Sequence, residues 1–222
     1  MGYWIQPDLT FNEEHHKYFW RGVVCQGVTS VMDRVGVREN DQKPFIPVGC
    51  PDFAKTEDSR KWGSAFHWIA EIVLRGGNPV FKDEQKQIDS IPWINTFRRF
   101  LEENKFKPLY DQNGHPLIEY PMYSVKYRYA GTPDLVAIND KDEIILFDWK
   151  TAQSYQKSYS YQTAAYEQLV KEVFGGKLFP INKKIIRRTM LFTANGYLPP
   201  FERKNESRDW TKFLSMLNIL RD

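Results

Sequence analysis

The chain has 222 residues, 41% hydrophobic and 27% charged, a balance that excludes both a disordered chain and a membrane-embedded one. Its net charge of +3 permits a phosphate-rich partner without arguing for one. The two cysteines, Cys25 and Cys50, fall short of a zinc or iron–sulfur set, so free thiols in a reducing compartment are expected.

The opening MGYWIQPDLTFNEEHH lacks the basic and then apolar pattern of a signal peptide. No stretch approaches the roughly 18 consecutive apolar residues of a membrane span, and Gln6 stands where a myristoylation pattern has Ser or Thr. An intracellular, cytoplasmic protein, not secreted, is the expectation.

Taken in order, KYFWRGVVCQ (17–26) reads as a hairpin turning at Arg21-Gly22. Thr29 or Ser30 is positioned to cap a short helix that Gly36 stops. From Val37 to Asp58 the text is polar and proline-punctuated, which predicts a loop. A helix is predicted over 61–75, closed by Gly76-Gly77, and another from Pro92 to Glu103 with Pro92 in its first turn. A hairpin is expected around Asn113-Gly114, and YSVKYRY (123–129) alternates as a strand with Tyr123, Val125, Tyr127 and Tyr129 on one face. DLVAI and EIILFDWKT follow as strands about Asn139-Asp140-Lys141-Asp142, and the run Ile144-Ile145-Leu146-Phe147 predicts a strand covered on both faces. A helix over 159–174, a strand at IIRRTMLFTA and a terminal amphipathic helix complete one α/β domain spanning 1–222. Its core is expected at about 60–195, with the N-terminal hairpin and the C-terminal helix as additions. The basic run Lys183 to Arg188 reads as a solvated strand or loop.

The stretch that bears on function is AGTPDLVAINDKDEIILFDWKTAQ (130–153), where an apolar run ends in charges that are costly to bury. If Ile138 pairs with Glu143, Asp134 falls opposite Phe147 or Asp148, to within one residue of register. Asp148 and Lys150 share a face, while Phe147 and Trp149 point into the core. Two close carboxylates repel unless a cation neutralises them, and an oxygen-rich pair suits a hard divalent ion such as magnesium or manganese. On spacing alone, a surface hairpin with charged tips remains the alternative.

Gly131-Thr132-Pro133-Asp134 followed by Asp148-Trp149-Lys150 resembles the PD-(D/E)XK nuclease superfamily. Gln162-Thr-Ala-Ala-Tyr166 is similar to the Q-x3-Y helix of its RecB-like exonuclease branch, and Gly63-Ser-Ala-Phe-His67-Trp-Ile-Ala-Glu71 to that branch's G-x3-H-x3-E helix. Val28-Thr-Ser-Val-Met32 resembles a segment of its phage-type and mitochondrial single-domain exonucleases, so the likeness runs from about residue 23 to residue 170. It implies a restriction-endonuclease-like fold, a central mixed β-sheet flanked by helices, and a metal-dependent DNA exonuclease. His67, Asp134, Asp148 and the Trp149 carbonyl would hold one or two Mg2+ or Mn2+ ions, and Lys150 would position or activate a water. Gln162, Tyr166, Glu71 and Glu119 would contact substrate or support the site, and no iron–sulfur cluster is implied. The partner would be DNA with a free end, single- or double-stranded. Asp148 stands where many relatives have Glu. A structure- or site-specific endonuclease of the same fold, and an inactive nucleic-acid-binding module, are the alternatives. Without the resemblance, His67 would read as a core histidine. Tyr155, Tyr159 and Tyr161, near Lys157, read as packing, with stacking on unpaired bases as the alternative. His15, His16 and His115 have no partner at ligand spacing and read as solvated.

Overall fold

The apolar run at 144–147 becomes the middle of a sheet buried on both faces. The computed structural model describes residues 6–12, 15, 17–36, 58–152, 154–200 and 206–221. Of the loop predicted over 37–58, residues 37–57 lie outside the described residues and Asp58 already opens a helix; Cys50 and His16 also lie outside. In chain order the elements are β1 (Leu9–Asn12), β2 (Lys17–Trp20), β3 (Val23–Gly27), α1 (Val28–Arg34), α2 (Asp58–Leu74) and α3 (Glu84–Glu103). Then come β4 (Phe106–Pro108), β5 (Met122–Ser124), β6 (Tyr129–Gly131), β7 (Leu135–Asn139), β8 (Ile144–Lys150) and α4 (Lys157–Phe174). β9 (Ile185–Thr193), β10 (Gly196–Tyr197) and α5 (Glu206–Ile219) close the described chain.

This is a mixed α/β architecture with two mixed sheets. The larger is ordered β10-β9-β8-β7-β4 and the smaller β1-β2-β3-β6-β5. In the larger sheet β8 and β9 run parallel, which requires a crossover, and α4 supplies it. Side chains leave β8 alternately to two apolar clusters. Ile144 and Leu146 pack with residues of α1, α4 and α5. Ile145, Phe147 and Trp149 pack with Phe66 and Ile69 of α2 and Phe97 and Phe100 of α3. Helices on both faces explain why every residue from Ile144 to Trp149 is buried. The second face is strongly aromatic, with Trp149 edge-on to Phe97 at 5.6 Å and to Phe100 at 5.7 Å between ring centres.

The hairpin at Arg21-Gly22 forms as expected, with both residues in the left-handed region (φ 50° and 78°) that such a turn demands. Gly36 (φ 72°) follows the end of α1. Neither Thr29 nor Ser30 caps that helix; it starts at Val28 behind Gly27, with no side-chain cap. The helix expected from Pro92 begins earlier, at Glu84, where Asp83 accepts a hydrogen bond from the Lys86 N–H. Pro92 thus sits inside α3. The early turns are polar, and their apolar residues Ile88 and Ile91 are exposed, so no buried stripe announced them.

YSVKYRY is not one strand. It folds back between β5 and β6, with Arg128 at φ 51° and the Tyr127 N–H donating to Ser124 Oγ at 2.9 Å. Val125 is left exposed as a consequence. Around Asn113-Gly114 the chain does reverse, with Leu117 N–H bonded to Leu109 O at 2.7 Å, but β4 takes β7 as its ladder partner. In the basic run Arg187 is buried, not solvated.

Candidate functional site

The turn between β7 and β8 sets the geometry. Asn139 Oδ1 accepts from the Lys141 and Glu143 N–H groups at 3.0 Å each, and Asp142 adopts φ 57°. The closed loop takes one residue more than a four-residue turn, so Ile138 pairs with Ile144 and Leu135 with Phe147. Continuing that register sets Asp134 opposite Asp148, one of the two positions expected. Both carboxylates are buried, Asp148 completely and Asp134 to within 5%.

Each has its own anchor. Asp134 Oδ2 accepts from the Trp149 N–H, while Asp134 Oδ1 lies 3.1 Å from His67 Nδ1. Asp148 Oδ1 lies 2.7 Å from Lys150 Nζ. Asp148 Oδ2 is buried and has no hydrogen-bond partner among the described residues, a costly state for a carboxylate oxygen. His67 arrives from α2, whose Phe66 and Ile69 pack on the aromatic face.

Glu119 completes the group. Its backbone is left-handed, φ 44°, a conformation that costs a non-glycine residue free energy and accumulates at functional sites. Its N–H donates to Asp134 O at 3.0 Å, and its Oε1 lies 3.3 Å from His67 Nδ1. One ligand atom each from His67, Glu119 and Asp134 lie within 4.8 Å of one another, close enough to hold a metal ion. Glu119, expected only in a supporting role, thus stands among the ligand atoms, with Asp148 beside them on Lys150. Trp149 serves Asp134 through its N–H.

The electrostatics follow from crowding three acids where two of them, Asp134 and Asp148, are buried. Burial pulls His67 toward its neutral form, but the charges of Asp134 and Glu119 and their hydrogen bonds dominate and push it up to about 10. Burial alone would raise Asp134; the protonated His67, Lys150 and the Trp149 N–H overcome it and hold the carboxyl below its usual value. Burial raises Asp148 to about 6, with Lys150 opposing and Asp134 adding. Burial and then the Asp134 charge raise Glu119 to about 7. Three carboxylates face one ammonium. When His67 is neutral, two negative charges are left over, the charge of one divalent cation.

The remaining expected residues surround this centre. Glu71 holds Arg75 Nε at 3.0 Å, and Arg75 donates to Ile118 O at 3.2 Å, beside Glu119. Gln162 Nε2 donates to Tyr166 Oη at 3.0 Å, both buried on α4. A Cβ on Gly131 would meet Tyr166 Cε1 at 2.7 Å, so the glycine of the Gly-Thr-Pro-Asp turn makes room for that helix. Lys150 Nζ lies 5.4 Å from the centre of the Tyr159 ring.

Two hydroxyls had no sequence signal. Tyr18 of β2 shares a hydrogen bond with Thr132 Oγ1 at 2.9 Å. Burial raises its phenol to about 12, keeping it protonated. The contact spans 114 residues, and only the pairing of β3 with β6 makes it visible. Of the other histidines, His115 is partly exposed but leans on Asp111 at 3.2 Å.

Compared with known proteins, the chain matches no family model and no curated sequence.

Proposed function

We propose that the chain is a metal-dependent DNA nuclease of the PD-(D/E)XK superfamily, in its RecB-like exonuclease branch, with the restriction-endonuclease-like fold that implies. One observation carries the reading: the residues of the Gly-Thr-Pro-Asp and Asp-Trp-Lys motifs meet the distant His67 in one partly buried cluster whose Asp148 Oδ2 has no partner among the described residues. That orphaned oxygen, the two negative charges left over once His67 is neutral and the hard oxygen donors fit magnesium or manganese.

His67, Glu119, Asp134 and Asp148 are the residues that would hold the ion. When bound, the ion supplies Lewis-acid polarisation of a phosphoryl oxygen and a more acidic water. The protein's own groups do the rest. Asp148 holds the Lys150 ammonium at the mouth of the cluster, where it stabilises charge developing on phosphate and orients the attacking water. The aromatic packing beneath Trp149 keeps the two motifs rigid, and rigidity converts positioning into rate. Gln162, Tyr166, Tyr18 and Thr132 offer neutral donors around the phosphodiester.

The test is incubation with end-labelled linear and closed circular DNA, single- and double-stranded, with magnesium, manganese or EDTA. Ladder-free release of nucleotides from linear DNA, abolished by EDTA, is the expected result. Cutting of circles would replace the exonuclease with an endonuclease. Binding without metal-dependent cutting of any substrate would leave a nucleic-acid-binding module.

A further inference from the structure

We infer that Tyr159 is a positioning residue for Lys150, holding its ammonium by the face of the phenol ring; this rests on the nuclease reading above. A lysine has a long, flexible stem with many rotamers, and one hydrogen bond to Asp148 at 2.7 Å pins the nitrogen without fixing the approach of its other two N–H groups. The Tyr159 ring centre, 5.4 Å from Nζ, lies within the roughly 6 Å over which an aromatic quadrupole attracts a cation. The lysine stays partly open, with 18% of its side chain exposed, so its free donors can face substrate while carboxylate and ring hold it.

The ring is itself held. Tyr159 lies in the first turn of α4, and its carbonyl accepts from Thr163 Oγ1 at 3.0 Å. Its ring meets Tyr155 at 5.6 Å and 89°, and the Tyr155 hydroxyl is bonded to Ser160 Oγ. The next residue's carbonyl, Ser160 O, accepts from Arg187 Nη1 at 3.0 Å. Arg187 also binds Glu167 of α4 at 3.3 Å. A buried arginine on β9 therefore fixes the start of the helix whose tyrosine faces Lys150 on the neighbouring β8. A tyrosine that merely fills space would be indifferent to the ammonium, and that difference can be measured.

The experiment compares Tyr159→Phe, which keeps the ring, with Tyr159→Leu, which removes it. For each, kcat and KM are measured on end-labelled linear DNA with manganese, and the Lys150 ε-methylene signal is followed by NMR in lysine-labelled protein, assigned by its loss in Lys150→Met. Tyr159→Leu is expected to lower kcat about tenfold with KM unchanged, equivalent to ~1.4 kcal/mol and within the range of a partly desolvated cation–π contact. Tyr159→Phe should stay within about twofold of the parent. The ring-current shift of Lys150 should persist in Tyr159→Phe and vanish in Tyr159→Leu. Parental kcat in the leucine variant, an equal fall in both variants, or a Lys150 signal that ignores the leucine overturns the inference. If the parent cuts nothing, the nuclease reading fails on its own, and the Lys150 signal alone decides whether the ring holds the ammonium.

Discussion

Two charge clusters, reached from the neighbouring strands β8 and β9, have opposite bookkeeping. Arg187 on β9 meets Glu167 of α4 at 3.3 Å and Asp209 of α5 at 3.2 Å, with Lys171 also on Glu167. Two cations face two carboxylates, and the spare guanidinium N–H goes to a backbone carbonyl. The other cluster gathers Glu119, Asp134 and Asp148 around Lys150 and His67, and leaves Asp148 Oδ2 without a partner among the described residues. Desolvation makes an incomplete set expensive. The first, closed cluster joins α4, α5 and β9; the second, open one leaves a carboxylate oxygen that, on the proposed reading, an added cation would take. On that reading, burial of charge marks structure in one place and function in the other, and what separates them is whether the partners balance.

The largest expected effect is on the closed cluster. Arg187→Met removes the guanidinium that the buried Glu167 and Asp209 share and should destabilise the fold by about 3–5 kcal/mol, read by urea unfolding with and without manganese. An unchanged midpoint would show that the network carries no stability. Lys150→Ala attacks the open cluster and should lower kcat by about 10²–10³-fold while the far-UV spectrum is kept; turnover near the parental rate would remove Lys150 from the mechanism. His67→Ala should weaken metal affinity by at least about tenfold, with activity partly recovered in excess manganese. Activity that is lost but not recovered at any manganese concentration would give His67 a role beyond ligation.

How far these clusters were legible in the sequence differs for the same reason. The open one could be read because period-two alternation places Asp148 and Lys150 on one face and a hairpin brings Asp134 across. Its register stayed open by one residue because only the Asn139 side-chain bonds to Lys141 and Glu143 decide the loop length. The closed one was invisible: Arg187 sits in a basic run that reads as solvated, and its partners lie on two other elements. Glu119 was expected only in support because its place beside His67 and Asp134 depends on a left-handed backbone that no residue type signals. Tyr18 reaches Thr132 only through pairing between distant strands, and the early turns of α3 bury little apolar surface. Local periodicity carried most strands and helices; long-range contacts and left-handed backbone were beyond it.

The smallest effect sharpens the contrast through pH. Asp148 has a folded-state value raised above its ordinary one, to about 6. Its stabilising contribution is therefore complete below the unfolded value near 3.8 and is lost as pH rises through about 6. In metal-free protein, Asp148→Asn should remove that loss, so the stability gap between parent and variant shifts in the variant's favour by on the order of 1–3 kcal/mol from pH 4 to pH 8. Parallel pH profiles would mean that the ionised Asp148 is not held at a cost.

The measurement that bears most directly on the open cluster is calorimetric titration of the metal-free protein with manganese, in two buffers of different ionisation enthalpy. Saturable binding is expected, accompanied by proton release, because the His67 imidazolium that bridges Glu119 and Asp134 must become neutral to ligate. Asp134→Asn should abolish it. Absence of saturable binding, or binding that survives Asp134→Asn unchanged, would contradict the assignment of this cluster as a divalent-cation site.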